Sequence, residues 1–282
     1  MYHEFVSIIP KLRIHVWGGL GSQLYAWALA EIFVSKTRRR IELVLHSSGV
    51  TRRTSDLDFL RDKFSIKVID DFSSKTAVNS RSGSRSILSI LRKLSLQFKV
   101  VLTDAELGEE AQFYPWTREI RGHYTNIRIP ESIIKEMIFR AQQEKLLKVD
   151  RNYKRQYLIH YRLGDLLSLH EKKPIPPERF AAFKFDHFPV FVASDSIEEA
   201  LSRLGRILSI EINSLETQSP WAVLDAIINS AIFIGTPSKI SFWGIAMRKT
   251  LNPDSECFIS KEHLDHLRLL TLISTFSDIK TY

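Results

Sequence analysis

Several residue types and patterns that mark particular protein classes are scarce in this sequence. Its 282 residues include one cysteine, Cys257, so no intrachain disulfide can form, and no Cys-x-x-Cys or Cys/His cluster offers a zinc site. No stretch approaches the roughly 18 apolar residues of a membrane-spanning helix, and the N-terminus lacks the features of a signal peptide. We therefore expect a reducing, cytoplasmic compartment, with any membrane contact made from one side.

Glycine and proline are also infrequent, at 11 and 10 residues. Together with 44% hydrophobic and 26% charged residues, these counts exclude a disordered chain, a collagen and a low-complexity array. The 40 Lys and Arg exceed the 32 Asp and Glu, which gives a net charge of +8. This excess is typical of a protein that meets a phosphate-bearing ligand or an anionic surface, although a solvated basic surface explains it equally well.

Apolar runs that indicate strands alternate with apolar residues at helical spacing. The predicted strands cover 12–16, 41–45, 100–103, 157–161, 189–193 and 232–235, and the predicted helices 57–64, 130–147, 197–208 and 221–229, with another after the glycines at 18–21. This alternation predicts an α/β fold with two parallel-sheet halves and ligands at the carboxyl ends of the strands. The polar stretch 148–155 is the expected linker, which gives domains 1–150 and 151–282.

The stretch 72–99 is rich in serine and basic residues and contains no acidic residue. Its second half places Ile87, Leu91, Leu94 and Phe98 on one helical face. Such a helix either lies on anionic lipid or packs on its own domain. No nucleic-acid-reading motif accompanies the basic residues, so we expect no nucleic-acid partner.

Two glycine-containing segments follow predicted strands. In W-G-G-L-G-S-Q-L, residues 17–24, the glycines allow close approach to a ligand at a helix N-terminus, although a plain tight turn has the same pattern. In H-Y-R-L-G-D, residues 160–165, Arg162 can grip a diphosphate bidentately, and Asp165 can orient it or simply form a surface pair. His160 can donate to a base edge or phosphate, or serve only as a satisfied polar residue.

Two further segments place polar groups at strand ends. In V-F-V-A-S-D, residues 190–195, Asp195 either accepts from guanine or caps the next helix. In residues 224–247, Thr236, Ser238 and Ser241 form an anion-ready nest at a helix N-terminus. Asp-x-Asp occurs at Asp56-Leu57-Asp58, outside the four segments, and the adjacent pair Asp70-Asp71 is expected at the surface.

The four segments together resemble family 11 glycosyltransferases, the α-1,2-fucosyltransferases, within the wider group of fucosyltransferases with an HxRxGD-type motif. The first segment resembles GGLGNQLFQYALA, the second HIRRGDY and the third FSDD. The fourth resembles D-x-x-x-x-x-x-C-x-x-x-I-x-x-N-S-T-F-S-W-W-G. The matching residues of the fourth segment are Ile234, Ser238, Ser241, Trp243 and Gly244, and Asp225 stands two positions after the place of the pattern's Asp. Order and spacing agree across most of the chain.

The resemblance implies a GT-B-like architecture, with two Rossmann-like domains facing a central cleft. Residues 1–150 would form the acceptor-side domain and residues 151–282 the GDP-sugar-binding domain. It also implies metal-independent transfer of L-fucose, with inversion, from GDP-β-L-fucose to O2 of a glycan. The expected setting is bacterial surface polysaccharide or oligosaccharide synthesis, with a free or lipid-linked acceptor and, as one alternative, peripheral contact with an anionic inner membrane.

The resemblance also implies roles for individual residues of the C-terminal half. Arg162 would hold the β-phosphate and stabilise departing GDP, which makes it a catalytic candidate together with Asp165. His160 and Asp195 would face guanine or ribose. Two serines would contact the diphosphate, and these are Ser238 and Ser241.

The glycine segment would approach the donor sugar and acceptor through Gly19, Gly21 and Ser22. The general base is open among Asp165, His123 and Glu31, and a mechanism without a strong base is an alternative.

The chain departs from the family pattern at four positions, and two departures bear on chemistry. Ser22 stands where the family has Asn, which removes an amide near the reacting hydroxyl, and Leu163 replaces a second Arg, which weakens the diphosphate grip. The other two departures are Pro237 for Asn and Phe242 for Trp. Another nucleotide-sugar donor, or a non-catalytic GDP-sugar or glycan-binding relative, therefore stays open as an alternative.

Overall fold

The structure, a computed structural model, describes residues 10–37, 39–49, 52–72, 94, 98–112, 114–148, 154–167, 173–261 and 279–282. The chain divides into two compact units, Met1–Ile133 and Ile134–Tyr282. Each unit contains one sheet whose paired strands all run parallel. The two parallel-sheet units confirm the predicted α/β, GT-B-like fold class.

Unit 1 is built around a five-stranded sheet in the order β3-β2-β1-β5-β4. Its strands are β1 (Leu12–Trp17), β2 (Ile41–His46), β3 (Ser65–Ile69), β4 (Val101–Thr103) and β5 (Glu119–Arg121), and its helices are α1 (Leu20–Lys36) and α2 (Asp104–Leu107). The α1 helix is buried from Leu20 to Phe33 because its sequence is apolar on every side.

Unit 2 is built around a six-stranded sheet in the order β11-β10-β9-β6-β7-β8. Its strands are β6 (Lys154–His160), β7 (Val190–Ala193), β8 (Ile212–Ser214), β9 (Ser230–Gly235), β10 (Glu256–Ile259) and β11 (Ile279–Thr281). Its helices are α4 (Ile197–Gly205), α5 (Pro220–Asn229) and α6 (Lys239–Leu251), while α3 (Glu131–Gln143) begins at the unit boundary.

Helices α5 and α6 have clear start signals and pack closely. Pro220 occupies the first turn of α5, where its missing N–H costs nothing, and Ser219 caps that helix by accepting from Ala222 N–H at 3.3 Å. A Cβ on Gly244 of α6 would lie 2.5 Å from Ile227 Cγ2 of α5, so only glycine fits this contact. The close packing fixes α6 behind the carboxyl end of β9.

The division between the units lies at 133/134, whereas the polar composition suggests a linker at 148–155. The chain that follows α3 is tied into unit 2. Lys148 N–H donates to Asp225 Oδ1 at 2.5 Å, and Asn229 Nδ2 donates to the Lys148 carbonyl at 2.7 Å. Asp225 therefore joins the chain after α3 to α5.

Five strands escape sequence prediction because they are short or alternate with polar residues: β3, β5, β8, β10 and β11. The helix expected over 57–64 is a single 3-10 turn, Asp58–Leu60. The amphipathic helix expected over 87–98 lies outside the described residues except at Leu94 and Phe98. In the described part of the chain, no helix is both long and apolar enough to cross a membrane.

Candidate functional site

Three of the four predicted segments meet at one edge of the unit 2 sheet. His160, at the end of β6, is in register with Ala193 of β7 on one side and with Gly235 of β9 on the other. The chain runs from β6 to β7 and β8 in one direction, and then returns with β9 to β11 on the other side of β6. This reversal is a topological switch point, where parallel α/β sheets bind ligands at the carboxyl ends of their strands.

The backbone around Arg162 is held from both neighbouring strands. Thr236 Oγ1 accepts from Arg162 N–H at 2.8 Å and donates to the His160 carbonyl at 2.8 Å. Asp195 Oδ1 accepts from Leu163 N–H and Gly164 N–H, each at 2.9 Å. Three consecutive N–H groups thus have fixed partners, which orients the half-buried Arg162 side chain at the switch point.

Glycine is required at position 164 because the Asp195 carboxylate lies close to the backbone there. A Cβ at this position would lie 2.2 Å from Asp195 Oδ2 and 2.6 Å from Asp195 Cγ. Any larger residue would push the carboxylate away from the two N–H groups that it holds.

The predicted capping role of Asp195 is wrong. Ser196 is the N-cap residue of α4, and its side chain makes no capping hydrogen bond. Asp195 instead fastens the Arg162 loop across the sheet. Its predicted contact with guanine or ribose stays a prediction.

Leu163, which replaces the family's second arginine, is completely buried. It packs in the unit 2 core with Tyr161, Phe180 and Val192. The side chain at this position contributes to folding, so this loop presents one arginine.

His160 is buried and linked to the helix that follows β9. Its Nδ1 lies 2.7 Å from Ser241 Oγ, and the two share a hydrogen bond. Burial lowers the His160 pKa from 6.5 to about 4; nearby Asp195 opposes this shift and Arg162 reinforces it. His160 is therefore a neutral imidazole at pH 7.

Ser238 is the N-cap residue of α6, and Ser241 lies in the first turn of that helix. Ser238 Oγ caps this helix by accepting from Ile240 N–H at 3.0 Å and Ser241 N–H at 3.3 Å. Because a hydroxyl also carries one proton, Ser238 can donate to an anion while it caps the helix. The positive end of the α6 dipole and the Arg162 loop flank the same strand ends.

The protonation of His160 predicts how stability depends on pH. Between pH 6.5 and about 4 the unfolded chain binds a proton at this histidine that the folded chain does not, so stability falls as pH is lowered. One such histidine contributes on the order of 3 kcal/mol to the loss by pH 4. Urea denaturation should show that the unfolding free energy of His160→Gln falls less than that of wild type between pH 6.5 and about 4. An equal fall in the two proteins would contradict a lowered pKa of His160.

The glycine segment lies at the carboxyl edge of the unit 1 sheet. Gly18 has φ +111° and a Cβ there would lie 2.7 Å from Ser22 Oγ, so glycine is needed at this turn. Gly19 is the N-cap of α1, while Gly21 and Ser22 are buried in its first turn. This group belongs to unit 1, and His160, Arg162, Asp195, Ser238 and Ser241 belong to unit 2.

Asp71 is not the surface residue expected from the sequence. His46 Nδ1 donates to Asp71 Oδ2 at 2.8 Å, and Ser48 N–H donates to Asp71 Oδ1 at 3.0 Å. His15 Nδ1 lies 3.0 Å from His46 Nε2, and Trp17 stacks on His46 with ring centroids 4.3 Å apart. Sequence reasoning missed this cluster because its members lie on β1 and β2 and just after β2 and β3, far apart in the sequence.

The three candidate bases have different surroundings. Glu31 is buried in α1, where it accepts from Trp27 Nε1 at 2.9 Å and pairs with Lys63 Nζ at 2.8 Å. These contacts give Glu31 a structural role. His123 is exposed next to β5. Asp165 lies in the 3-10 turn Gly164–Leu167, and its side chain is outside the described part of the structure.

The described residues contain no group of three or more His, Cys, Asp or Glu that could hold a metal ion. The donor groups at the unit 2 strand ends are a guanidinium, an imidazole, hydroxyls and backbone N–H groups. Such donors suit an anion.

No family profile and no curated protein matches the sequence. Among solved structures, the chain is similar to NodZ α-1,6-fucosyltransferase co-crystallized with GDP, at 15% identity and TM-score 0.38 over 83% of this chain and 92% of that one. It is also similar to POFUT1 in complex with GDP-fucose, at 14% identity and TM-score 0.38 over 90% and 98%. A family 9 glycosyl transferase from Veillonella parvula matches at 12% identity and TM-score 0.42 over 89% and 81%.

Proposed function

We propose that this protein is a fucosyltransferase-like glycosyltransferase whose unit 2 binds the diphosphate of GDP-β-L-fucose. The observation that carries the proposal is the clamped Arg162 loop beside the N-terminus of α6 at a topological switch point. A guanidinium and a helix N-terminus together match the charge and hydrogen-bonding geometry of a diphosphate.

Arg162 has the central role in the proposed chemistry. The bond from the fucose anomeric carbon to the β-phosphate oxygen breaks as the acceptor oxygen attacks, and GDP leaves with the electron pair. The leaving phosphate gains negative charge, which Arg162 and the α6 N-terminus stabilise without a metal ion. Neutral His160 and Ser238 supply hydrogen bonds and add no competing charge.

The finer assignment rests on the resemblance in sequence. We propose inversion at the anomeric carbon and an α-1,2 linkage to a glycan of bacterial surface polysaccharide or oligosaccharide, which would make the protein similar to a galactoside 2-α-L-fucosyltransferase. Another nucleotide-sugar donor on the same fold is the near alternative, and a non-catalytic GDP-sugar or glycan-binding relative is the second.

The test is donor consumption in the presence of EDTA. Wild-type protein is incubated with GDP-fucose, GDP-mannose or UDP-galactose and a panel of galactosides, and product masses and anomeric configuration are read by mass spectrometry and NMR. The proposal expects an α-fucosylated product from GDP-fucose alone. Product from GDP-mannose or UDP-galactose would favour an enzyme that uses another nucleotide-sugar donor. GDP binding without any product would favour a non-catalytic GDP-sugar or glycan-binding relative.

We also propose contact with an anionic membrane, through a surface of unit 1 formed by Phe98, Tyr114 and Trp116. Phe98, Tyr114 and Trp116 expose 64%, 42% and 55% of their area, and the Tyr114 and Trp116 rings stack. Exposed aromatic rings are typical of membrane-interface contacts. Trp116→Ala combined with Phe98→Ala should reduce sedimentation with phosphatidylglycerol vesicles at low salt. Equal sedimentation of variant and wild type, or none for wild type, would contradict this contact.

A further inference from the structure

The carboxyl end of β1 carries aromatic side chains on one face of the unit 1 sheet. His15 and Trp17 are two residues apart on β1, so their side chains lie on the same face. His46, the register partner of Trp17 on β2, stacks on one face of the indole with the ring planes 15° apart. The Trp17 ring is therefore backed by a second ring from the neighbouring strand.

His46 is fixed through both of its ring nitrogens. Asp71 Oδ2 accepts from His46 Nδ1 at 2.8 Å, and His46 Nε2 shares a hydrogen bond with His15 Nδ1 at 3.0 Å. Asp71 N–H in turn donates to Ser47 Oγ at 3.0 Å. The imidazole cannot rotate without breaking these bonds, so the indole that stacks on it is held in one orientation before any ligand binds. Such preorganisation lowers the entropic cost of binding.

The second face of the indole is turned towards the gap between β1 and β5. The strand that carries His46 lies on one side of β1, and β5 lies on the other side. Because β5 ends at Arg121, the register partner of His15, it stops before the level of Trp17. The Trp17 side chain is partly exposed at this place. The gap is the switch point of the unit 1 sheet, where ligands of parallel sheets bind.

The chain that leaves β5 is fixed on the far side of this gap. Asp104 accepts from His123 N–H at 3.3 Å and from Tyr124 N–H at 3.0 Å. The Tyr124 hydroxyl donates to the His15 carbonyl. A Cβ on Gly122 would lie 2.5 Å from Asp104 Cβ, so glycine is needed for this turn. Both sides of the gap therefore have a defined geometry within unit 1.

Arg121 supplies hydrogen-bond donors beside the indole. Glu119 Oε2 accepts from Arg121 Nε at 3.2 Å and from Arg121 Nη2 at 2.6 Å. A guanidinium has five N–H donors, so this pairing leaves donors for a ligand. The Arg121 side chain is 39% exposed. Because Glu119 balances its charge, this arginine suits neutral hydroxyl groups better than a phosphate.

We propose that Trp17 and Arg121 form a sugar-binding subsite of unit 1 that takes one pyranose ring of a glycan. The choice of a sugar as the ligand rests on the proposed function. The C–H face of a pyranose is apolar and stacks on the indole, while its hydroxyl groups accept from the guanidinium. His46 and Asp71 act as positioning residues, because they orient the indole and do not touch the sugar.

The test is the binding of free sugars to the whole protein without any nucleotide. Lactose, maltose, chitobiose and mannobiose are titrated by saturation-transfer-difference NMR, and guanosine is titrated as a flat aromatic probe. We expect wild type to bind at least one of the four disaccharides. Trp17→Ala should raise the Kd of that sugar by about tenfold or more, and Trp17→Phe, which keeps a ring, should raise it less. Arg121→Ala should raise it by about tenfold.

Two matched controls and two further measurements separate binding from folding. Phe139→Ala removes an exposed aromatic ring on α3, and Arg118→Ala removes an exposed arginine just before β5. Both should bind the sugar as wild type does. The Tm and the Kd of GDP are measured for each variant, and GDP affinity should be unchanged in all of them. If Trp17→Ala lowers the Tm strongly, Trp17→Phe and Arg121→Ala decide the result.

The outcomes distinguish this subsite from the proposed function. If wild type binds GDP but none of the four disaccharides, the subsite is wrong and the proposed donor site stands. Equal sugar affinity in wild type, Trp17→Phe and Arg121→Ala would also overturn the subsite. So would binding of guanosine, and of no sugar, that depends on Trp17. If sugar binding depends on Trp17 while wild type neither binds GDP nor consumes GDP-fucose, the subsite stands and the proposed function is wrong.

Discussion

Arg162→Ala is expected to weaken GDP binding by about 10- to 100-fold, because it removes a charge-assisted contact of about 1.5–3 kcal/mol to the diphosphate. The rate of fucose transfer should fall further, by about 100- to 1,000-fold, since the guanidinium interacts most strongly with the charge that develops on departing GDP. Isothermal titration with GDP and steady-state assays with GDP-fucose measure the two effects separately.

Two further variants make this result specific. Arg162→Lys keeps the charge and loses the planar pair of donors, so it should recover only part of the affinity. Arg155→Ala removes an exposed arginine near the start of β6, the strand that leads into the Arg162 loop. This variant should bind GDP as wild type does. Equal GDP affinity in Arg162→Ala and wild type would show that the diphosphate does not bind at this loop.

Gly164→Ala is expected to disrupt the loop although it removes no side chain. The new methyl group would lie 2.2 Å from Asp195 Oδ2, and relief of this overlap must move the carboxylate away from Leu163 and Gly164 N–H. We expect a loss of about 1–3 kcal/mol in unfolding free energy and at least about tenfold weaker GDP binding. Urea denaturation and GDP titration measure these losses.

A double-mutant cycle with Asp195→Ala isolates the cause. Asp195→Ala alone leaves two N–H groups without their acceptor, and it should also weaken GDP binding. In that background the Gly164→Ala change meets no carboxylate, so its additional cost should be small. Fully additive losses would indicate that Gly164 is needed for a reason other than its contact with Asp195.

The residues at the unit 2 strand ends could be predicted because long apolar strands lead directly into polar motifs. The edge of the sheet that carries His160, Arg162 and Thr236 follows from the direction of β6 and β9 alone. The partner of Asp195 could not be predicted in this way. Its bonds to Leu163 and Gly164 join residues about 30 positions apart and depend on the register of β6 and β7.

Other features depend on burial, which no local pattern reports. Leu163 is a core residue at a position where the motif suggests a ligand contact. Burial raises the pKa of Asp56 from 3.8 to about 6, with Arg53 opposing the shift and Asp58 adding to it. Burial of this kind follows from contacts between residues that are distant in the sequence.

The most direct test of the central claim is a thermal-shift comparison of GDP, GDP-fucose, GDP-mannose, UDP and dTDP with wild-type protein in EDTA. A ligand that binds only the folded state stabilises it by about 2.7 kcal/mol at 100 times its Kd. We predict a higher Tm with GDP and GDP-fucose and no change with UDP or dTDP, and Arg162→Ala should lower the increase by about half or more at the same ligand concentration. An equal increase with UDP or dTDP, or no increase with any of the five, would contradict a GDP-fucose site at the Arg162 loop.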